Sequence, residues 1–492
     1  MPVRSGKEYL ESLNDGRVLY VRGERVKDVT THPAFRETAR TLAGIFDLHQ
    51  DPRHRDTLTY RSPSSGAPVS VAYLMPASSE DLVRRRRANR LVAEQTHGMI
   101  TRTPNLLAQI VTQWAMNREI FDAMDPKFGA AITSYYEYCR ENDVALTHAI
   151  VSPQYDRSKN LAQQEDPSLV VGLVSQDAEG IVVSGTRMLA THAHFSNEVI
   201  VWPFDRLTEA DGRHALWFAC PLNARGLTLI SRESYAGGKN VFDSPLASRF
   251  DEMDAAIIFD KVRIPWNRVF ALGNTKFNPM GEAPGRTISL FGAQQISRAI
   301  VKGEFMYALG SGIADAIGID GFLHVQQMLG EMLEYVDAMK AMERVYEVDV
   351  VERGGKLYPS PGTTRAGRGL MPQYLTRMAW ILREICGAGQ VMSPSAGDFN
   401  HPELGPLVEK YFRGKAGVSA AHKAKLMKMA WEATSDQFGS RATIYEYYHS
   451  GDPVRNLAAR HTREDKSRYR DILKQVMSEM DEGLAQERGS KK

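Results

Sequence analysis

The feature that most constrains this chain is a switch in its hydrophobic period, made twice. From about residue 168 to 275 the apolar residues come in short runs: Val170-Val-Gly-Leu-Val174, Gly180-Ile-Val-Val183, Glu198-Val-Ile-Val-Trp202, Ala215-Leu-Trp-Phe-Ala219, Leu227-Thr-Leu-Ile230 and Ala255-Ala-Ile-Ile-Phe259. Gly, Asp, Pro and Asn separate them, as turns separate strands. This reads as an antiparallel barrel or sandwich. On both sides the apolar residues return at helical spacing. Val18 to Lys27 is compatible with a small hairpin. Ser78-Ser-Glu-Asp81 marks a helix start, with a serine to cap it and acids at its positive end. Further helices are expected over about 106–123 and up to Asn142. Beyond a turn at Pro279-Met-Gly281, helices are expected over about 287–315 and 319–350, the second with Val325, Met328, Leu329, Met332, Val336 and Met339 on one side. Together with later helical stretches they imply a C-terminal bundle. The division expected is 1–147 mostly helical, 148–275 β, and 276–492 helical with a charged tail. Residues 352–371, rich in Gly and Pro, read as a long loop.

Composition excludes some classes. Among 492 residues, 61 are basic and 59 acidic, so the net charge of +2 gives no case for a general nucleic-acid or membrane surface. The run Arg84 to Arg87 reads as a solvated helix face. The cysteines Cys139, Cys220 and Cys386 stand far apart, without metal-ligand spacing, which fits a reducing cytoplasm. His192 and His194 have no third ligand at metal spacing, so no metal site is expected. Met1-Pro-Val-Arg-Ser-Gly6 lacks the apolar run of a signal peptide, and no window resembles a membrane span. A glycine-rich strand-turn-helix fingerprint is lacking, so NAD(P)H is not expected to bind stably here.

Chemistry-bearing residues gather in His148-Ala-Ile-Val-Ser-Pro-Gln-Tyr-Asp-Arg-Ser-Lys-Asn160. The stretch follows a helical run and precedes the strands, at a junction where ligand sites form. Its bland alternative is a polar surface loop. His148 can gain or lose a proton near neutral pH. The Gln154 amide both donates and accepts, and Arg157 can grip a phosphate or steady the loop. Arg102 lies in Thr101-Arg-Thr-Pro-Asn105 between two helices, the usual setting of a structural ion-pair partner or of a simply exposed arginine.

These segments, with Phe242-Asp-Ser-Pro-Leu-Ala-Ser-Arg-Phe-Asp251, Ile264-Pro-Trp-Asn-Arg-Val269, Phe438-Gly-Ser-Arg441 and Gly451-Asp-Pro-Val-Arg455, resemble the 4-hydroxyphenylacetate 3-hydroxylase family over nearly the whole chain. These are oxygenase components of two-component flavin monooxygenases. The resemblance implies an acyl-CoA dehydrogenase-like architecture, mainly α with a central β-barrel and a C-terminal bundle. It implies reduced FAD delivered by a separate NAD(P)H-dependent flavin reductase, O2 as co-substrate, a C4a-hydroperoxide, and hydroxylation of a small phenol ortho to its hydroxyl. It also implies a homotetramer, a dimer of dimers, in the cytoplasm. By the same resemblance Arg102 and His148 face the substrate and Thr191 lies at the reactive face of the flavin. Gln154, Arg157, Gly439, Ser440 and Arg441 contact FAD. Leu106 stands where the family member acting on 4-hydroxyphenylacetate has tyrosine, which implies a more apolar pocket. Phe291-Gly-Ala-Gln-Gln-Ile-Ser-Arg298 covers a segment in which the family's phenol oxygenases often carry a histidine, and it has none. The alternatives are an acyl-CoA dehydrogenase-like flavoprotein working through a carboxylate base, a 4-hydroxybutyryl-CoA dehydratase with an iron–sulfur cluster, and an inactive helical interaction protein. Asp243, Arg249 and Asp251 are expected to form an ion-pair network between strands and helices.

Overall fold

The computed structural model describes residues 2–278 and 284–489; the turn expected at Pro279-Met-Gly281 lies outside them. The helix Ser79–Glu94 starts as its sequence requires: Ser78 Oγ accepts from Asp81 N at 3.2 Å, and the Asp81 carboxylate accepts from Ser78 N at 3.1 Å. The run Arg84 to Arg87 is only in part a solvated face: Arg87 is exposed, while Arg85 and Arg86 turn inward. Arg85 is buried and donates to the carbonyls of Val71, Ala72 and Leu74 and to Gln109. Arg86 pairs with Glu347 and Arg90 with Glu343, fastening this helix to Leu323–Val348. The next helix, Pro104–Met116, has proline in its first turn, where no donor is lost. Every residue from Asn105 to Met116 is buried. A helix apolar on all faces belongs at the centre of a fold.

The strands do not close into a barrel. They form two open sheets. The larger runs in the order Glu24–Val26, Val18–Val21, Leu227–Ser231, Asp254–Pro265, Gly180–Thr191, Gly172–Gln176. The smaller runs Val269–Leu272, Leu216–Pro221, Glu198–Val201, Leu146–Ala149. Closure needs the two edge strands of one sheet to pair. Here edge positions are taken by segments from outside residues 168–275, the Val18–Val26 hairpin and Leu146–Ala149, each attached through a parallel pair. The expectation of a barrel is therefore corrected, and the first and second segments of the chain share a sheet. Phe218 of one sheet packs on Phe259 of the other, ring centroids 5.8 Å apart. Trp114 ties the central helix to the smaller sheet through Trp202 and Trp217, each at 5.4 Å.

The C-terminal part packs the long helices Ser289–Ile317, Leu323–Val348 and Pro361–Cys386 with Ala420–Thr434 and Gln437–Tyr448. The stretch 352–371 is not a loop. Val350–Arg353 pairs with Lys356–Pro359 across Gly354 and Gly355, whose φ values of 57° and 71° suit a tight hairpin turn. Pro361 then opens a helix capped by Ser360. The expected Asp243–Arg249–Asp251 network is also corrected. Asp243 pairs with Lys428, Asp251 with Arg232, and Arg249 donates to the Pro245 carbonyl. The tail is the helix Ser467–Gly489, with Leu473, Val476, Met477, Met480 and Leu484 exposed. Among the described residues, no helix is long and apolar enough to cross a membrane.

Candidate active site

The start of the central helix, the end of the Gly180–Thr191 strand, the start of the Asp254–Pro265 strand and the helix Gln437–Tyr448 meet at one place. Glu252 holds the first of these. Its Oε1 accepts from the backbone N of Thr101 and of Arg102, both at 2.7 Å, and from Thr101 Oγ1 at 2.6 Å. His192 Nδ1–H donates to the Arg102 carbonyl at 2.9 Å. The Arg102 backbone is thus fixed from two sides. Its guanidinium Nη1 lies 2.9 Å from His449 Nδ1 and its plane covers the Tyr445 ring at 5.2 Å.

Thr191 lies opposite Asp254 in the sheet and donates to Asp254 Oδ1 at 2.7 Å; its hydroxyl is also 3.3 Å from Tyr445 OH. Arg441 makes a paired contact with Asp254, 2.7 and 3.0 Å, and a 2.5 Å contact with Glu252. Burial alone would raise both carboxyls. Arg441 outweighs it and holds both below the usual carboxylate range. Neither is free to act as the base of an acyl-CoA dehydrogenase. Among Arg102, Arg232, Arg298 and Arg441, only Arg102 has no carboxylate at ion-pair distance among the described residues.

His148 sits on the buried strand Leu146–Ala149, edge-on to Trp202 at 5.2 Å. Burial, reinforced by the positive charge of Arg102, pushes its imidazole down to about 3, so it is neutral at physiological pH. Thr147 Oγ1 donates to the Thr191 carbonyl, a side-chain bond that ties the edge strand holding His148 to the end of the Thr191 strand in the other sheet. Leu106 is fully buried one turn beyond Arg102. Arg102, His148 and Thr191 are thus brought into one neighbourhood by three separate elements.

Other expected residues stand apart from it. Gln154 and Arg157 are exposed on the loop that leaves His148. That loop is anchored to the Thr191 strand by Met188 N donating to the Val151 carbonyl at 2.8 Å. Gly439 serves the helix start. Its N donates to Asp436 Oδ1 at 2.8 Å, and a Cβ there would meet Thr434 N at 2.5 Å. Ser440 is exposed and donates to the Ser435 carbonyl at 3.3 Å. Arg441, by contrast, lies within the cluster, bound to Asp254 and Glu252 and 4.3 Å from the Tyr445 ring centroid.

Family models confirm the relationship suggested by these residues. The model described as 4-hydroxyphenylacetate 3-hydroxylase N terminal matches residues 5–271, and its C-terminal counterpart matches 285–478. The chain belongs to the 4-hydroxyphenylacetate 3-hydroxylase family. Its relatives include the 4-hydroxyphenylacetate 3-monooxygenase oxygenase component of Thermus thermophilus, 36% identical over 97% of this chain and 98% of that protein. Another is the oxygenase component of a 4-nitrophenol 2-monooxygenase from a Rhodococcus species, 32% identical over 91% of this chain and 86% of that protein. A crystal structure of a 4-hydroxyphenylacetate 3-monooxygenase oxygenase component with FAD and 4-hydroxyphenylacetate superposes with a TM-score of 0.92, at 36% identity, over 98% of this chain and 100% of that one.

The residues of this family member suit a flavin and a phenol. Buried polar atoms at the cluster have no partner among the described residues: Arg102 Nε, His148 Nδ1, His192 Nε2 and His449 Nε2. A buried polar atom without a partner costs about 1–3 kcal/mol unless a ligand supplies one, an acceptor for Arg102 Nε and a donor for the bare His192 Nε2. Tyr445 and His449 were not singled out as site residues from sequence. Their signal was spacing: Arg441, Tyr445 and His449 recur every four residues, on one helix face. The helix segment Phe291 to Arg298 does face this cluster, with Phe291 6.2 Å from the His449 ring and Gln295 donating to the His449 carbonyl at 3.3 Å.

Proposed function

We infer that this chain is the oxygenase component of a flavin-dependent monooxygenase, using FAD and O2 to hydroxylate an aromatic, phenolic substrate. The observation that carries the reading is the family match together with Arg102, a buried-site cation without a carboxylate partner among the described residues, beside the neutral imidazole of His148. A positive charge with no counter-ion favours the ionised form of a phenol. A neutral imidazole whose Nδ1 has no partner among the described residues can share a hydrogen bond with the phenolic oxygen. Reduced FAD supplies the activation of O2; the protein orients the ring and keeps water out. Thr191, Gln154, Arg157 and the segment Gly439-Ser-Arg441 are the residues we place against FAD, and Leu106 forms an apolar wall for the ring. We place the new oxygen ortho to the hydroxyl, as in the 3-monooxygenase of 4-hydroxyphenylacetate and the 2-monooxygenase of 4-nitrophenol.

A separate NAD(P)H-dependent reductase delivers the reduced FAD in this reading. The designation of several relatives as oxygenase components supports it. We place the chain in the cytoplasm as a homotetramer; the apolar stripe of the tail helix supports assembly with further copies, because such a stripe left in water is unfavourable. The reading is tested by mixing the protein with reduced FAD, O2 and either 4-hydroxyphenylacetate or 4-nitrophenol. A catechol product is expected. Release of hydrogen peroxide alone, with every phenol tried, would refute it.

A further inference from the structure

The contact between Arg102 and His449 fixes a tautomer. A guanidinium only donates, so His449 Nδ1, 2.9 Å from Arg102 Nη1, is the acceptor. The imidazole is neutral. Burial depresses its protonation first, and Arg102, Arg298, His148 and Arg368 add to the effect from three other elements and the neighbouring strand. A neutral ring with a lone pair at Nδ1 carries its hydrogen at Nε2. That Nε2–H is buried and has no partner among the described residues, and neither has Arg102 Nε. The ring is held in place. It lies 5.6 Å from Tyr445 and 6.2 Å from Phe291, Gln295 anchors its own carbonyl, and Arg368 donates to the carbonyl of Ser450. Two linked donors therefore face a neighbourhood in which the nearby carboxylates, Glu252, Asp254 and Glu446, are already engaged by Arg441, Arg298 and Lys302.

We propose that His449 is a substrate-binding residue whose Nε2–H donates, alongside Arg102, to the oxygen of the bound ring, so that the pocket selects its substrate as the phenolate anion. The proposal rests on the oxygenase reading and deepens it. The phenolic proton is left with solvent before the ring binds, and no group of the protein needs to store it. Phenols that ionise readily are the favoured class, and ring ethers, which have no ionisable hydroxyl, are rejected.

The probe is 4-nitrophenol, whose phenolate is yellow and whose phenol form is not. Its bound spectrum is followed against pH with FAD-loaded protein. Wild type is expected to lower the apparent pKa of the bound probe by about one unit or more, and His449→Phe to bind the phenolate about tenfold or more weakly and to move that pKa back toward the solution value, Arg102 retaining part of the effect. His449→Asn, which keeps an N–H donor, should retain most of the wild-type effect. The wild-type titration alone can overturn the proposal, even if the phenylalanine variant does not fold: a probe bound with its solution pKa sinks it. So does a folded His449→Phe protein that ionises the probe as wild type does. Turnover with reduced FAD and O2 separates the two readings. Product from a wild type that leaves the probe's ionisation unchanged refutes the role of His449 and leaves the oxygenase intact; no product from any phenol refutes the oxygenase.

Discussion

Glu446 offers the sharpest test of how the site is held. It lies on the helix that carries Arg441 and Tyr445, one residue beyond Tyr445, and its side chain is 3% exposed. Both its oxygens are used: Arg298 reaches them at 2.7 and 2.6 Å, and Lys302 at 2.8 Å. Burial would raise this carboxyl, but the two cations hold it down to about 2, against 4.5 when unperturbed. That difference corresponds to about 3 kcal/mol of stability. Glu446→Gln keeps the shape and removes the charge, leaving Arg298 and Lys302 buried without a counter-ion, a change that typically costs about 3–5 kcal/mol. The two routes agree. The sign follows from the depressed folded value: the stabilisation is complete above about 4.5 and is lost as pH falls towards 2. Urea unfolding of both proteins, followed by circular dichroism, should show a gap of about 3 kcal/mol at pH 7 that closes progressively in acid. A gap below about 1 kcal/mol at pH 7, or one that does not change with pH, would refute the reasoning.

Other outcomes follow from the same contacts. His148 and His194 are buried and neutral, each pushed down to about 3 from 6.5, so the unfolded chain takes up their protons first. Each should cost about 1.4 kcal/mol of stability per pH unit below 6.5 until its folded value is reached, and His194→Gln should flatten that part of the pH–stability curve. Arg441→Met leaves Glu252, which holds the Arg102 backbone, without its cation; product formation should fall well over tenfold, read by single turnover with reduced FAD. Replacing Leu473 and Met477 with lysine should shift the assembly to smaller species in sedimentation, and unchanged sedimentation would rule out the tail helix as an interface.

The sequence signalled local structure better than long-range pairing. Ser78 and Asp81 announce a helix start because capping is a matter of three residues. The runs around Val199, Phe218 and Ile257 announce strands because alternation and β-branching are local. Closure is not local. The edge strand holding His148 is paired with Glu198–Val201, and nothing within residues 146–149 says so. Gly354 and Gly355 suggest a loop by composition, yet their positive φ values make them the tight turn of a hairpin. The site shows the same division. Arg102 and His148 carry a family signature and could be named in advance. Glu252, which grips the Arg102 backbone, is 150 positions away, and Arg441 is a further 189 from it. A charge network assembled across such separations leaves no pattern in a single chain. His449 falls between: its spacing from Tyr445 and Arg441 was legible, but its contact with Arg102 required the fold.

The central claim is that Arg102 and His148 face the ring that is oxidised, with Thr191 at the flavin. A crystal structure of this protein with FAD and 4-hydroxyphenylacetate addresses it directly. The account predicts the phenolic oxygen within hydrogen-bond distance of both Arg102 and His148, and the isoalloxazine beside Thr191. Flavin and phenol bound elsewhere, with those three side chains contacting only protein, would contradict it.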